Sequence, residues 1–386
     1  MSVTAAAGFR AAGVESGIKA EGLDIALVVA EKPAVTGAVF TQNQIAAAPV
    51  LLSRESLLRS SLKRGVVLNS GCANAATGGL GTENAHKMVH ATATVLDVSS
   101  EEVLICSTGT IGPQLPMGRV VAGIGDAAGS LDGSASAGTR AATAIMTTDT
   151  VPKESVVQGG GWVVGGMAKG AGMIRPNMAT MLAILTTDAD VHQSVLDAAL
   201  RSSVDATFNS LNIDGCESTN DTVIAMASGA SGTRPDPVEF AAAMEQVCRD
   251  LVQQMARDAE GASRVVTIDV SGAPDDATAR RLGRFVTDSA LVRSSFYGGD
   301  PNGGRILGAL GAAGVEIDPG AITITYQGVD VFANGVEAAF DEPALLVQME
   351  AGDLEVGIRL GGGPGAARIV ATDLTPQYVI FNGERS

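Results

Sequence analysis

Aromatic residues are scarce in this 386-residue chain, at 3% of it, with one tryptophan, three tyrosines and nine phenylalanines. Packing therefore falls to small aliphatic side chains, and 48 glycines add tight turns and close backbone approaches. Histidine is scarcer still, with three residues, His86, His90 and His192. His86 and His90 stand four apart on an expected helix and could share a metal, or simply form a polar helix face; no second ligand cluster accompanies them, and no metal is expected. The four cysteines, Cys72, Cys106, Cys216 and Cys248, form no C-x-x-C pair, which excludes a zinc knuckle and a disulfide framework and leaves reduced, buried thiols as the expectation. Basic residues number 26 against 42 acidic ones, a net charge of −16, and no compensating basic run marks a nucleic-acid surface. No apolar run approaches the roughly 20 residues that cross a bilayer, and the N-terminus lacks a basic segment followed by an apolar one. A soluble, cytoplasmic protein is expected, with no nucleic-acid or membrane partner.

What is present is 46% apolar residue content, enough for a large core. Short apolar runs alternate with helical patterns. Strands are expected at Asp24 to Ala30, Pro49 to Ser53, Gly65 to Asn69, Val103 to Ser107, Trp162 to Met167, Met181 to Thr187 and Thr222 to Met226. Further strands are expected at Arg264 to Val270, Ala321 to Tyr326, Val329 to Phe332, Leu354 to Leu360 and Ala367 to Ala371. Helices are expected at Thr82 to Asp97, Ala137 to Thr147, Gln193 to Thr207, Pro237 to Ala259, Asp275 to Thr287 and Arg305 to Gly314. In Pro237 to Ala259, the residues Phe240, Met244, Val247, Leu251 and Met255 recur at helical spacing. Candidate linkers are Ser130 to Gly138 and Thr233 to Asp236. Gly361-Gly-Gly-Pro-Gly365 reads as a hairpin turn, with a phosphate loop as the alternative. The class is α/β or α+β, with sheets packed against helices.

No G-x-S-x-G, no G-x-x-x-x-G-K-[ST] and no dinucleotide-type glycine fingerprint occurs, so neither a serine hydrolase nor a nucleotide cofactor is indicated. The chemistry points instead to Lys169-Gly-Ala-Gly-Met-Ile-Arg-Pro-Asn-Met-Ala-Thr-Met-Leu182. A threonine hydroxyl is a poor nucleophile until a base takes its proton, and cutting the chain so that the threonine's own α-amine becomes that base is one solution. The Ala179-Thr180 junction suits such a cut, because alanine adds little bulk beside the scissile carbonyl and the Thr180 hydroxyl can reach back to it. On the residues alone, Thr180 reads first as a β-branched residue filling a strand, as such a threonine does in most proteins. Other turns rich in glycine, threonine and asparagine stand at strand ends, at 68–75, 106–112, 146–150, 214–222 and 300–305, and could present hydroxyl and N–H donors to a developing oxyanion.

Six of these pieces in this order, the lysine motif together with Cys106-Ser-Thr-Gly109, Ala144-Ile-Met-Thr-Thr-Asp-Thr150, Ser218-Thr-Asn-Asp-Thr222, Asp258-Ala-Glu-Gly261 and Asp300-Pro-Asn302, resemble the ornithine acetyltransferase family, also called bifunctional glutamate N-acetyltransferase. The likeness covers nearly the whole chain. It implies an N-terminal-nucleophile-type fold, a self-made cut between Ala179 and Thr180, an α chain of 1–179 and a β chain of 180–386. It further implies Thr180 as nucleophile, Thr108 and Gly109 as oxyanion hole, and Thr147, Lys169, Thr180, Glu260, Asn382 and Ser386 as substrate-binding positions. The implied reaction moves an acetyl group from N2-acetyl-ornithine to glutamate through acetyl-Thr180, in arginine biosynthesis, without a cofactor; use of acetyl-CoA as a co-substrate is left open. An α2β2 assembly is also implied.

Two departures stand against the family pattern. Gly303 replaces a tryptophan that usually follows Asp-Pro-Asn, and the tail Asn382-Gly-Glu-Arg-Ser386 is one residue short and lacks a tyrosine. Two alternatives use the same nucleophile: an amidohydrolase or aminopeptidase in which water discharges the acyl-threonine, and a paralogue with a different acyl donor.

Overall fold

The computed structural model describes residues 2–175 and 181–384, so Ala179, Thr180 and Ser386 lie outside the described residues. In chain order come β1 (Phe9–Val14), β2 (Ile25–Phe40), α1 (Ala48–Arg59), β3 (Leu62–Asn69), α2 (Gly78–Leu96), β4 (Val103–Ser107), α3 (Met117–Gly129), α4 (Ala135–Ala144), β5 (Lys153–Gln158) and β6 (Val163–Lys169). Then follow β7 (Leu182–Thr187), α5 (Gln193–Ala206), β8 (Leu211–Asn212), β9 (Thr222–Ala227), α6 (Pro237–Arg257), β10 (Val265–Ala273), α7 (Asp276–Asp288), α8 (Ala290–Gly298) and α9 (Gly303–Gly311). The chain closes with β11 (Thr323–Tyr326), β12 (Val329–Ala333), β13 (Val336–Glu337), α10 (Glu342–Glu350), β14 (Leu354–Arg359), β15 (Gly365–Thr372) and α11 (Pro376–Gly383). Two compact units result, one formed mainly by residues up to Met255, the other from Ala256 onward with short segments at Ile174 and Ser210–Cys216.

The first unit carries a sheet in the order β4-β3-β2-β9-β7-β6-β5, with β1 added antiparallel to β2. Both faces of β2 are covered, which is why Ile25 to Ala30 reads as an unbroken apolar run. Ile25, Leu27 and Val29 pack with Ala85, Met88, Val120 and Ile124 of α2 and α3. Ala26, Val28 and Ala30 join Ala141 and Ala142 of α4. The register of β2 against β3 shifts between Val29 and Ala34. That irregularity bends the strand, so Leu68 and Cys106 share one apolar cluster with Met167, Leu182, Ile184 and Ile224 from the other arm of the sheet. The expected helical spacing of α6 holds: Phe240, Met244, Val247, Leu251 and Met255 are all buried.

The second unit has a mixed sheet ordered β13-β12-β11-β14-β10-β15-β8. Its β10 alternates in the manner of a strand with one apolar face. Val266, Ile268 and Val270 pack with Leu282 and Val286 of α7, Phe296 of α8 and Ile306 and Leu310 of α9. On the opposite parity, Asp269 forms an exposed ion pair with Arg368 of β15.

The α/β class stands, while several local expectations do not. Pro49 to Ser53 is the opening of α1, not a strand. Proline supplies the φ of a helix start and needs no donor there, and a five-residue apolar run cannot by itself separate helix from strand. The Ser130 to Gly138 linker is shorter than expected: residues 130–134 connect α3 to α4, which begins at Ala135, capped by the Ser134 side chain. The division between units falls at Met255/Ala256 and not at Thr233 to Asp236. Gly361 to Gly365 is no hairpin: β14 and β15 lie on either side of β10, parallel and antiparallel to it, so the turn crosses the end of β10. A Cβ on Gly363 would stand 2.1 Å from the carbonyl oxygen of Ala273, the last residue of β10, which is why the crossing is glycine-rich. Cys72, Cys106 and Cys248 are buried thiols, but Cys216 is exposed.

Candidate active site

In the first unit, the bend of β2 brings the end of β4 against the end of β6. The residues after β4 form a turn held from three sides. The Thr108 N–H donates to Asn69 O at 2.9 Å, Cys72 bridges to both Thr108 and Thr110, and the Asn220 carboxamide donates to Ala73 O at 2.6 Å and Ser107 O at 2.9 Å. Gly109 takes φ +127°, and a Cβ there would lie 2.3 Å from the Gly71 carbonyl carbon. Only glycine lets this turn close. Its N–H donates to no group among the described residues. Thr108 is 4% exposed, and its hydroxyl accepts a hydrogen bond from the Lys169 ammonium, itself 2% exposed, at 3.3 Å.

A buried lysine needs a compensating charge. Asp149 supplies it. Its Oδ1 accepts from the fully buried Lys153 ammonium at 2.7 Å and from Gly170 N at 2.7 Å, while Oδ2 accepts from Thr147 N at 3.0 Å. Burial pushes the Asp149 carboxyl up, but the charges of Lys169 and Lys153, with these donors, prevail and hold it at about 2. Lys19 reaches the same region, its ammonium donating to Met146 O at 3.1 Å; burial lowers its pKa against the pull of Asp24 and Asp149. Asp221, just ahead of β9, is fully buried and accepts the Met181 N–H at 2.9 Å. Burial raises its carboxyl well above the usual range, against the opposing Met181 N–H and Lys169 charge.

In the second unit, Glu260 follows α6 and Asn382 lies in α11. The Asn382 carboxamide donates to Glu260 Oε2 at 3.1 Å and to Tyr378 O at 3.1 Å. The buried Arg293 guanidinium fixes the approach to α11 through Thr372 O, Thr372 Oγ1 and Asp373 O at 2.9 to 3.1 Å. Gly303 opens α9 behind the Asn302 cap. A side chain at 303 would set out toward Val331 and Phe332, each 3.5 Å from a Cβ, so the tryptophan usual there would lie on β12.

A model described as the ArgJ family matches residues 10–386 of the chain. The chain belongs to the ArgJ family. The arginine biosynthesis bifunctional protein ArgJ of Mycolicibacterium paratuberculosis is 46% identical over 392 residues, spanning 100% of this chain and 96% of that protein. The protein of the same name from Streptomyces coelicolor is 46% identical over 388 residues, spanning 100% of both. Among solved structures, the ornithine acetyltransferase of Mycobacterium tuberculosis complexed with ornithine is 45% identical, covers 47% of this chain and 95% of that one, and has a TM-score of 0.44. The family resemblance carried by the six motifs is thereby borne out.

For this ArgJ-family chain, the structure brings Lys169 onto Thr108 beside Gly109 and ties Thr147, through Asp149, to Gly170. It pairs Glu260 with Asn382 inside the second unit. Ala179, Thr180 and Ser386 lie outside the described residues. Sequence reading assigned no role to Asp149, Lys153, Lys19 or Asp221. Two of them sit inside motifs it singled out, 144–150 and 218–222, but nothing local shows that an aspartate there is buried against lysines distant in sequence. Among the described residues no cluster of three or more His, Cys, Asp or Glu could hold a metal ion, and no helix is long and apolar enough to cross a membrane.

Proposed function

We propose that this ArgJ-family enzyme cuts its own chain between Ala179 and Thr180 and uses Thr180 to carry an acetyl group from N2-acetyl-ornithine to glutamate, in arginine biosynthesis. The observation that carries the chemistry is the Lys169, Thr108, Gly109 group. It offers a hydroxyl and an N–H as two donors for an oxyanion, the N–H unused among the described residues. An ammonium donating to the Thr108 oxygen polarises the hydroxyl and makes it a better donor in turn.

In the first half-reaction the free α-amine of Thr180 takes the hydroxyl proton as the oxygen attacks the acetamide carbon. The carbonyl oxygen becomes an oxyanion held by Thr108 and Gly109, the C–N bond breaks, and the proton passes to the departing amine of ornithine. In the second, the glutamate amine attacks acetyl-threonine, the C–O bond breaks and the hydroxyl regains a proton. Lys169 meets a substrate carboxylate and Glu260, with Asn382 beside it, meets an ammonium group, each by charge complementarity. Thr147 and Ser386 complete the proposed substrate contacts. The cycle needs no metal and no nucleotide cofactor, acetyl-CoA being at most an alternative acetyl donor. An α2β2 assembly in the cytoplasm belongs to the same proposal.

The test combines denaturing mass spectrometry with an acetyl-transfer assay. Two fragments meeting at 179/180, transfer that rises with glutamate, and loss of both cleavage and transfer in Thr180→Ala are expected. A single intact chain with full activity would refute the free-amine role, and acetate release independent of glutamate would convert the enzyme into a hydrolase.

A further inference from the structure

We infer that Asp221 is a positioning residue for this reaction: its buried carboxyl anchors the chain immediately after the nucleophile and keeps a second oxygen, Oδ2, as a hydrogen-bond donor. The inference rests on the proposed role of Thr180 and deepens it. Asp221 is fully buried, one oxygen receives the Met181 N–H at 2.9 Å, and Oδ2 is shut from solvent with no hydrogen-bond partner among the described residues. Its backbone is fixed as well, Asp221 O accepting from Thr41 N at 2.9 Å, and the neighbouring Asn220 is clamped to Ala73 and Ser107. The same short turn therefore holds both the oxyanion turn and residue 181. Three covalent bonds along the chain separate the Met181 nitrogen from the nitrogen that a cut at 179/180 would free.

An ionised carboxylate with a single donor and an empty buried oxygen is costly. Burial drives Asp221 toward its neutral form; the Met181 N–H and the Lys169 charge oppose this, as does the Ser218 side chain, which makes no hydrogen bond to Oδ2. A neutral carboxyl suits the chemistry. The freed α-amine acts as a base only when unprotonated, and a carboxylate within reach of such an amine holds it as an ammonium ion. A carboxylic acid offers a donor without a counter-charge, and it gains and loses no net proton over the cycle.

Two variants of the full-length chain separate this role from simple satisfaction of a strand N–H. Asp221→Asn keeps an acceptor for Met181 N–H and replaces the acid O–H with an N–H donor, so it is expected to self-cleave and to transfer acetyl groups within about ten-fold of the parent. Asp221→Ala removes both and is expected to cleave slowly and to lose about 10²-fold in kcat with KM unchanged, the scale of a small misplacement of reacting groups. Urea unfolding followed by Trp162 fluorescence establishes that each variant is folded. Equal cleavage and kcat in Asp221→Ala and the parent overturn the inference. So does an Asp221→Asn enzyme that folds yet is 10²-fold impaired, because the site would then require the anion; this second arm stands even where Asp221→Ala does not fold. An active Thr180→Ala chain, by contrast, removes the nucleophile itself, an outcome readable separately from either Asp221 variant.

Discussion

Replacing Asp149 by asparagine should destabilise the first unit by about 3 kcal/mol at pH 7, and the loss should fade in acid. The carboxylate is the shared counter-charge of two buried lysines: it contacts Lys153 at 2.7 Å with both side chains fully buried, and it feels the Lys169 charge. Removing one partner of a buried pair generally costs about 3 to 5 kcal/mol, since the other charge is left uncompensated. Linkage gives an independent figure. A fall from the ordinary 3.8 to about 2 is worth on the order of 2 to 3 kcal/mol at 1.36 kcal/mol per unit. The sign follows from a folded pKa below the unfolded one: the stabilisation is complete above about pH 4 and disappears as pH falls toward 2, with roughly half gone at pH 3. Trp162, the only tryptophan, is buried in the first unit against Phe240, ring centroids 5.6 Å apart, so its fluorescence in urea reports on that unit. Parent and Asp149→Asn are compared from pH 7 to pH 3. A difference below about 1 kcal/mol at pH 7, or one that stays flat down to pH 3, refutes the electrostatic assignment.

The remaining expectations concern the oxyanion turn and the thiols. Thr108→Val keeps the shape of the side chain but removes the hydroxyl, so kcat should drop by about 10²- to 10³-fold with little change in KM, measured by acetyl transfer to glutamate; an unchanged kcat removes Thr108 from the oxyanion hole. Native alkylation with iodoacetamide at pH 8 should mark the exposed Cys216 first, though more slowly than a free thiol, because burial and the neighbouring Asp214 charge raise its pKa. Cys106, buried and pushed up to about 12, should stay unlabelled until the protein unfolds; peptide mapping that finds Cys72, Cys106 or Cys248 modified ahead of Cys216 contradicts the burial pattern.

Legibility in the sequence followed the range of the interaction. The apolar runs of β4, β9, the end of β3 and the first six residues of β2 could be read because both faces are buried there, leaving little alternation to misinterpret, whereas β2 beyond Ala30, with Glu31, Lys32 and Pro33 exposed, was not. Helix α6 was readable from five apolar residues on one face. Helices α3, α8, α10 and α11 were not anticipated; α10 and α11 carry Pro343 and Pro376 in their first two positions behind an Asp341 or Thr375 cap, a start signal that outweighs their weak apolar stripes. The turn at Gly361 to Gly365 was misread because strand adjacency in sequence does not imply pairing once β10 enters between β14 and β15. The site divided in the same way. Glycine, threonine and asparagine turns mark where backbone groups could face a substrate, but the contact of Lys169 with Thr108 spans 61 residues and depends on the bend in β2. A charge such as Asp149 acquires its meaning only from what is buried around it.

The proposed cut would fall between strands of one sheet. Lys169 and Leu182 are register partners at one end of the antiparallel β6–β7 pair, and Met181, just ahead of Leu182, is tied to β9 by its carbonyl, which accepts from Thr222 N at 3.1 Å. From Leu182 to Thr187 each residue stays paired on both sides, antiparallel with β6 and parallel with β9, and all six are buried. Strands from before the junction (β1 to β6) and after it (β7 and β9) share one sheet, and α6 packs on β6 so closely that a Cβ on Gly166 would stand 2.7 Å from Val247. Separating the two products would require dismantling that sheet and its core, not merely opening a loop. A new chain end made here gains a free amine while the residues that follow it, from Met181 on Asp221 into β7, keep every anchor they had.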